Sequence, residues 1–151
     1  MGAPRRLTKD VWVGATPTAD MLSQLALWGV KSVINNQYDE EEIRVLNSAD
    51  SEKTAHRFGM EYAHSKVADR FNVTEEEVQR FIAAYERLPK PVFVYCRAGF
   101  RASLVWGMSQ IGKMDIDDII EVIFEAGYDL TMIGKPQMKK RLERLQQSEQ
   151  A

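Results

Sequence analysis

Residues 92–103 read VFVYCRAGFRAS, and this stretch predicts both the centre of the fold and its reactive group. Its first four residues are apolar or aromatic, which is typical of a short strand buried on both faces of a parallel sheet. They lead directly into Cys96, the single cysteine of the chain, and a glycine and two arginines follow within five positions. Apolar residues at helical spacing resume after Arg101. The stretch therefore predicts a strand, a tight turn and the start of a helix.

The rest of the chain alternates between strand and helix patterns. Short apolar runs predict further strands at 11–13, 31–35 and 60–67. Thr74 and Glu77 form a capping-box pattern at the start of a helix that ends before Pro89. Apolar spacing predicts the other helices, at 18–28, around 43–46, 51–58, 102–111, 116–125 and 137–146. The alternation predicts the α/β class, with a mainly parallel central sheet of about four strands flanked by helices.

Length and composition set the scale of the fold. The 151 residues suit about one domain, and we expect residues 1–151 to form a single domain with an ordered core at about 8–146. The polar residues 147–151 are expected to fray. Hydrophobic residues make up 44% of the chain, which is enough for one core. The net charge of −2 provides no overall attraction to nucleic acid or to an anionic membrane.

The N-terminus and the cysteine count restrict the compartment and the kind of site. The first residues lack the apolar segment of a signal peptide, and no apolar run approaches the length of a membrane span. One cysteine excludes an internal disulfide and a multi-cysteine metal site. His56 and His64 have no ligand spacing to each other or to the cysteine, so we predict no metal and no cofactor. These features predict a cytoplasmic protein without a membrane segment.

Cys96 is predicted at a position that favours a thiolate. Open α/β sheets bind ligands beyond the carboxyl ends of their strands, where Cys96 is expected. The N-terminus of the following helix has unpaired backbone N–H groups and a positive dipole end, which attract anions. Gly99 lets the loop turn tightly, and Arg101 can donate two hydrogen bonds to one oxyanion. A thiolate that faces a bound oxyanion is arranged for nucleophilic attack, and the alternative is a buried structural cysteine.

Residues 96–103 resemble the phosphate-binding loop of the cysteine-dependent protein tyrosine and dual-specificity phosphatases. Together with residues 11–18, 29–35 and 126–130, they resemble the bacterial family of the beta-lactamase hydrolase-like protein, phosphatase-like domain. The resemblance implies a three-layer phosphatase-like fold in which Cys96 and Arg101 are catalytic. It further implies that the substrate anion is bound by the other residues of the loop, namely Arg97, Ala98, Gly99, Phe100, Ala102 and Ser103.

The loop departs from the tyrosine phosphatase pattern at two places. Tyr95 replaces the histidine that usually precedes the cysteine, and Arg101 follows Cys96 after four residues instead of five. Ala102 therefore occupies the position where the arginine is expected, although Gly99 keeps its usual distance from the cysteine. A loop with four intervening residues is similar to that of rhodanese-type sulfurtransferases, in which the cysteine carries a persulfide.

Asp69 is the candidate general acid. The phosphatases that the chain resembles have an aspartate on a loop some thirty residues before the cysteine, and Asp69 precedes Cys96 by 27 positions. It would protonate the leaving oxygen, while Ser103 could donate a hydrogen bond to the sulfur when it leaves as thiolate. The alternative for Asp69 is a solvated loop aspartate at the end of a strand.

Three functions are compatible with these residues. The first is a phosphomonoesterase that forms a phosphocysteine, with a phosphorylated protein or a small phosphoester as its substrate. The second is a sulfurtransferase with a Cys96 persulfide, which would interact with a sulfur donor and a sulfur acceptor. The third is a non-catalytic module that binds anions or phosphoproteins. The sequence leaves the natural substrate and the oligomeric state open, and it predicts no nucleic-acid or membrane partner.

Several other side chains are predicted to be structural. Trp12, Trp28 and Trp106 fall on apolar patterns and are expected in the core. The basic run 139–141 is interpreted as the exposed face of an amphipathic helix, and the acidic run 39–42 as a solvated helix start. Arg70, beside Asp69, is interpreted as a solvated loop residue or as part of the entrance to the site.

Overall fold

A computed structural model describes residues 2–41 and 46–150 of the chain. Its central element is a sheet of five strands, namely β1 (Arg5–Thr8), β2 (Val11–Gly14), β3 (Ser32–Asn35), β4 (Glu61–His64) and β5 (Val92–Tyr95). Their order across the sheet is β1-β2-β5-β3-β4. β1 is antiparallel to β2, and the other pairs are parallel. The predicted α/β class and mainly parallel sheet are therefore confirmed, with one additional edge strand.

In the described part of the chain, six helices connect and cover the strands, namely α1 (Ala19–Leu27), α2 (Ser48–Arg57), α3 (Glu75–Arg87), α4 (Phe100–Ser109), α5 (Ile116–Glu125) and α6 (Lys135–Gln150). A short 3-10 helix, Asp39–Glu41, follows β3. The predicted capping box at the start of α3 is present, because Thr74 and Glu77 exchange both hydrogen bonds. Within the described residues, no helix combines the length and the apolarity that crossing a membrane requires.

β5 occupies the middle of the sheet and separates two hydrophobic cores. Phe93 and Tyr95 pack with buried residues of α1 and α2 on one face. Val92, Val94 and Cys96 pack with residues of α3, α4, α5 and α6 on the other. Side chains of a strand point alternately to the two faces, so a strand covered by helices on both sides is apolar throughout. This arrangement accounts for the continuous apolar run before the cysteine.

Two helices extend beyond their predicted bounds, and one predicted helix lies partly outside the described residues. The helix predicted around Ile43 falls partly on residues 42–45, which lie outside the described residues. α2 begins at Ser48, earlier than predicted, because the side chain of Asn47 accepts a hydrogen bond from the backbone N–H of Asp50 at 2.8 Å. α6 continues to Gln150, four residues beyond the predicted helix end at Gln146.

The prediction of a core position fails for one of the three tryptophans. Trp106 is buried at 2% exposure, as predicted, whereas Trp28 is 53% exposed. Trp28 stacks on the half-buried ring of Trp12, with 5.6 Å between the ring centroids. Its helical spacing places it near the apolar face of α1, but it follows the last residue of that helix, where the core no longer covers it.

Arg141 is buried, which contradicts the interpretation of residues 139–141 as an exposed basic face. Its side chain is 4% exposed and donates from Nε and Nη2 to the carboxylate of Glu75, at 2.9 and 3.1 Å. Its Nη1 donates to the backbone oxygen of Met108 at 2.9 Å. Burial opposes the ionised form of Glu75, but the hydrogen bonds from Arg141 and Gln79 and the charges of Arg141 and Arg144 together lower the pKa of this carboxyl. The pair connects α6 to α3 and α4.

Replacing Arg141 with methionine should lower the free energy of unfolding by about 2 kcal/mol, because the buried half of the ion pair is lost. Arg144→Met is the matched control, since Arg144 is 55% exposed and lies 4.0 Å from the same carboxylate. The control should change the stability by less than about 0.5 kcal/mol. Urea titration at neutral pH measures both values, and equal effects of the two variants would contradict a structural role for Arg141.

Candidate active site

Cys96 lies at the carboxyl end of β5, at the edge of the sheet where β2 and β3 also end. Its backbone N–H donates to Gly14 at 3.3 Å, and the backbone N–H of Asn36 donates to Tyr95 at 2.8 Å. The residue is 1% exposed, yet it lines a cavity of about 140 Å³. The other residues of that cavity are Arg70, Arg97, Ala98, Phe100 and Arg101. The structure thus brings most of the predicted loop residues around the sulfur.

Two backbone N–H groups are directed at the sulfur of Cys96. The N–H of Gly99 lies 3.1 Å from Sγ, and that of Ala102 lies 3.4 Å from it. α4 begins at Phe100, so Ala102 lies in its first turn, where backbone N–H groups have no partner within the helix. These donors and the positive end of the helix dipole stabilise negative charge on the sulfur or on a group bound to it.

Gly99 is required at its position for two independent reasons. Its φ angle is +99°, in the left-handed region that favours glycine. A Cβ atom there would lie 2.1 Å from the hydroxyl oxygen of Tyr128, which is far too close. Ser103 also holds this glycine, because its buried hydroxyl donates to the backbone oxygen of Gly99 at 2.8 Å. This bond supports the loop, and the hydrogen bond of Ser103 to the sulfur as it leaves as thiolate stays a prediction.

Tyr128 is a contributor to the site that the sequence did not single out as a functional residue. Its side chain is 2% exposed and packs edge-on against Phe100, with 5.2 Å between the ring centroids. Its hydroxyl has no hydrogen-bond partner among the described residues. Burial raises the pKa of Tyr128, and the proximity of Cys96 adds to the increase. The tyrosine therefore stays neutral and fixes the back of the loop by packing.

Arg101 is oriented by an ion pair with Glu41. Nη1 donates to Oε2 of Glu41 at 2.7 Å and to the backbone oxygen of Val67 at 2.7 Å, and Nη2 donates to Oε1 of Glu41. The side chains of Arg101 and Glu41 are only 12% and 21% exposed. A guanidinium has five N–H donors, and these contacts use three of them. The remaining two, on Nε and Nη2, have no oxygen acceptor among the described residues.

Electrostatics keep both members of this pair charged. Burial opposes the charge of Arg101, but the hydrogen bond with Glu41 and the proximity of Cys96 raise its pKa above the ordinary value. Burial likewise opposes ionisation of Glu41, and the hydrogen bonds from Arg101 and from Tyr38 lower its pKa nevertheless. Arg101 and Cys96 line the same cavity, so the positive charge of the guanidinium acts on the sulfur.

Glu41 corrects the interpretation of the acidic run 39–42 as solvated. It belongs to the 3-10 helix after β3 and is separated from Arg101 by 60 positions. Its neighbour Glu40 is exposed, as the sequence predicted. No local pattern distinguishes the two glutamates, since only the parallel pairing of β3 with β5 brings one of them to the loop.

Tyr95 does not take the place of the usual histidine near the sulfur. Its ring belongs to the core between the sheet and helices α1 and α2, on the face opposite to Cys96. There its hydroxyl is 2.9 Å from the hydroxyl of Ser51, within α2. Tyr95 therefore contributes to the packing behind the strand and not to the cavity at the sulfur.

Asp69 lies in the loop after β4, as predicted, with an exposed side chain. Its Oδ1 accepts a hydrogen bond from the backbone N–H of Phe71 at 2.8 Å, and it does not line the cavity. The adjacent residue Arg70 does line the cavity. Loop aspartates commonly accept such a bond from the residue two positions on, so the role of Asp69 as general acid stays a prediction.

The described residues contain no group of three or more histidine, cysteine, aspartate and glutamate side chains that could hold a metal ion. A larger cavity of about 630 Å³ lies at residues 111–118 and α6, away from Cys96. The smaller cavity combines the cysteine sulfur, N–H groups directed at it and arginine side chains. We therefore identify it as the candidate active site.

The sequence is similar to one described family over most of its length. A model of the family described as beta-lactamase hydrolase-like protein, phosphatase-like domain, matches residues 4–113. Beta-lactamase hydrolase-like proteins from Xylella fastidiosa and Agrobacterium fabrum are 28% and 25% identical to the chain over 120 and 127 residues. These matches cover 78% and 83% of the chain but only 28% and 29% of the relatives. The chain thus spans less than a third of their length.

Solved structures share the fold. A candidate phosphatase from Neisseria meningitidis has a TM-score of 0.83 and 26% identity, over 93% of this chain and 99% of the other. A candidate phosphatase from Shewanella putrefaciens has a TM-score of 0.72 and 24% identity, over 98% and 91%. PTPMT1 in complex with PI(5)P has a TM-score of 0.75 and 19% identity, over 97% and 98%. The predicted three-layer phosphatase-like fold is therefore confirmed.

Replacing Gly99 with alanine should lower the free energy of unfolding by about 3 kcal/mol, because the backbone is strained and Tyr128 has to move. Gly112→Ala is the matched control, since Gly112 also has a positive φ, of +93°, but nothing within 4 Å of the added atom. In the control only the backbone strain should lower the free energy of unfolding, by about 1 kcal/mol. Urea unfolding measures both, and equal losses would show that Tyr128 does not restrict position 99.

Proposed function

Because the chain belongs to the family of the beta-lactamase hydrolase-like protein, phosphatase-like domain, we propose that it is a cysteine-dependent phosphomonoesterase. The observation that carries this proposal is the pair of backbone N–H groups, from Gly99 and Ala102, that point at the sulfur of Cys96. A thiolate held in this way is a nucleophile at the bottom of an anion site. The same donors are available to the oxygens of a bound phosphoryl group.

The proposed reaction proceeds in two displacements at phosphorus. The sulfur of Cys96 forms a bond to phosphorus while the bond to the ester oxygen breaks, and Asp69 supplies the proton that the leaving oxygen takes up. A water molecule then attacks the phosphocysteine, gives its proton to Asp69, and releases phosphate and the thiolate. Arg101 has two N–H groups available for the phosphoryl oxygens, and Glu41 keeps the guanidinium facing the sulfur.

The nature of the substrate is supported only at the level of a phosphoester. PTPMT1, which shares the fold, is solved with the phosphoinositide PI(5)P. A phosphomonoester group is the feature that this ligand would share with a substrate of the present chain. We therefore propose a phosphorylated small molecule or protein as the substrate.

The purified protein should hydrolyse an aryl phosphate, and the Cys96→Ser protein should lose the activity to background, because a serine hydroxyl is a far poorer nucleophile than a thiolate. Release of phosphate and of the phenol measures the reaction. Persistence of the wild-type rate in the Cys96→Ser protein would contradict the cysteine mechanism. Absence of turnover in the wild type would contradict the proposed function.

Asp69→Asn provides the second arm of that experiment. The substitution keeps an oxygen that can accept the N–H of Phe71, so the loop should stay folded. If Asp69 is the acid, kcat should fall by about 100-fold, and the pH dependence that requires a protonated acid should disappear. An unchanged rate and pH profile would remove Asp69 from the mechanism.

A sulfurtransferase is the second candidate, and the position of the arginine favours it. Ala102 stands where the tyrosine phosphatase pattern has arginine, and the charge of Arg101 is partly neutralised by Glu41. A persulfide on Cys96 carries a single negative charge, which the N–H groups of Gly99 and Ala102 could hold. Cyanide-dependent production of thiocyanate from thiosulfate tests this function, with Cys96→Ser as the control.

Replacing Glu41 with glutamine should lower kcat/KM for the active reaction by about tenfold or more, because Arg101 loses the carboxylate that orients it. Glu40→Gln is the matched control, since Glu40 is exposed on the same 3-10 helix, and it should stay within about twofold of the wild type. A higher kcat/KM in the Glu41→Gln protein would instead mean that this carboxylate competes with the substrate for Arg101.

A further inference from the structure

The cavity at Cys96 has more positive charge than one phosphoryl group needs. Three guanidinium groups line it, those of Arg70, Arg97 and Arg101, and the described residues contribute no carboxylate to its lining. Arg101 is paired with Glu41 and lies beside the sulfur, where the scissile phosphoryl group would bind. Arg70 and Arg97 are exposed and form no ion pair within the described part of the chain. They are therefore available to a second anionic group.

Arg70 is held at the rim by aromatic rings and by its backbone. Its guanidinium carbon lies 5.0 Å from the ring centroid of Phe71 and 5.6 Å from that of Phe100. Its backbone oxygen accepts a hydrogen bond from Nε2 of Gln137 at 2.9 Å. Phe100 is the first residue of α4 and lines the same cavity, so the charge of Arg70 lies against the wall of the loop.

Arg97 lines the same cavity as Arg70 and Arg101. Its charge is also the smallest of the named causes that lower the pKa of Glu41. Its position directly after Cys96 fixes its backbone in the anion loop while its side chain is exposed. Both arginines therefore line the cavity and have exposed side chains that the non-scissile part of a substrate could reach.

The size of the cavity limits how much of a substrate it can enclose. Its volume of about 140 Å³ is well below the several hundred Å³ that typically enclose an organic ligand. Such a space takes a phosphoryl group and little more, so most of an organic substrate must lie across the rim. A phosphotyrosine side chain would gain little burial there, whereas an anionic substituent would meet two guanidinium groups.

We infer that the preferred substrate is a phosphomonoester with a second anionic group close to the scissile phosphate, and that Arg70 and Arg97 bind this second group. The inference rests on the proposed phosphomonoesterase function. It makes these two arginines residues that determine specificity, while the bond-breaking step remains with Cys96 and Arg101.

The test compares kcat/KM for phenyl phosphate, 3-carboxyphenyl phosphate and 1,3-phenylene bisphosphate. The wild type should prefer each doubly anionic compound over phenyl phosphate by at least about tenfold, since charge-assisted hydrogen bonds contribute on the order of 1.5–3 kcal/mol. The preference should decrease with added salt, because the two arginines are exposed. The preference for the doubly anionic compounds should be smaller in Arg70→Gln and in Arg97→Gln. In the double variant the ratio of their kcat/KM to that of phenyl phosphate should approach unity.

Arg80→Gln is the matched control, because Arg80 is an exposed arginine of α3 that does not line the cavity. Its preference should equal that of the wild type. Turnover of all three compounds with the same preference in every variant would overturn the inference and leave the phosphomonoesterase function standing. Turnover of none of them would overturn the proposed function, and the inference with it.

Discussion

The burial of β5 on both faces is the constraint on which the rest of the structure depends. A strand in the middle of a mainly parallel sheet needs apolar side chains in both directions, and helices must cover each face. Val92 to Tyr95 satisfy this requirement, with α1 and α2 on one side and α3 to α6 on the other. The chain leaves this rigid strand directly at Cys96, so the position of the sulfur is fixed by the most buried part of the molecule.

The loop after Cys96 depends on a small number of close contacts. Gly99 takes a backbone angle that other residues avoid, and Tyr128 occupies the space that a side chain there would need. Ser103, within α4, donates a hydrogen bond from its hydroxyl to the backbone oxygen of the same glycine. These contacts hold the N–H groups of the loop toward the sulfur before any anion arrives, which reduces the cost of organising the site during a reaction.

The ion pair of Arg101 with Glu41 offers a physical account of the unusual arginine position. Arg101 stands one position before the place of the arginine in the tyrosine phosphatase pattern. Its side chain therefore starts from a different backbone position and needs contacts of its own to hold its orientation. Glu41 and the backbone oxygen of Val67 provide this support with three hydrogen bonds. The pair also lowers the net charge beside the sulfur, and under the proposed function this makes Arg70 and Arg97 more important for binding an anionic substrate.

The sequence by itself determined the α/β class, β5, the capping box at Thr74 and the loop from Cys96 to Ser103, because these follow from patterns over neighbouring residues. It missed β1, whose four residues include two arginines and no alternating apolar pattern. Only the tertiary structure decided that Glu41 meets Arg101, that Tyr128 packs on Gly99, and that Arg141 is buried against Glu75. Each of these contacts joins residues far apart in the chain. Their partners are selected by the order and direction of strands and helices, which no local pattern contains.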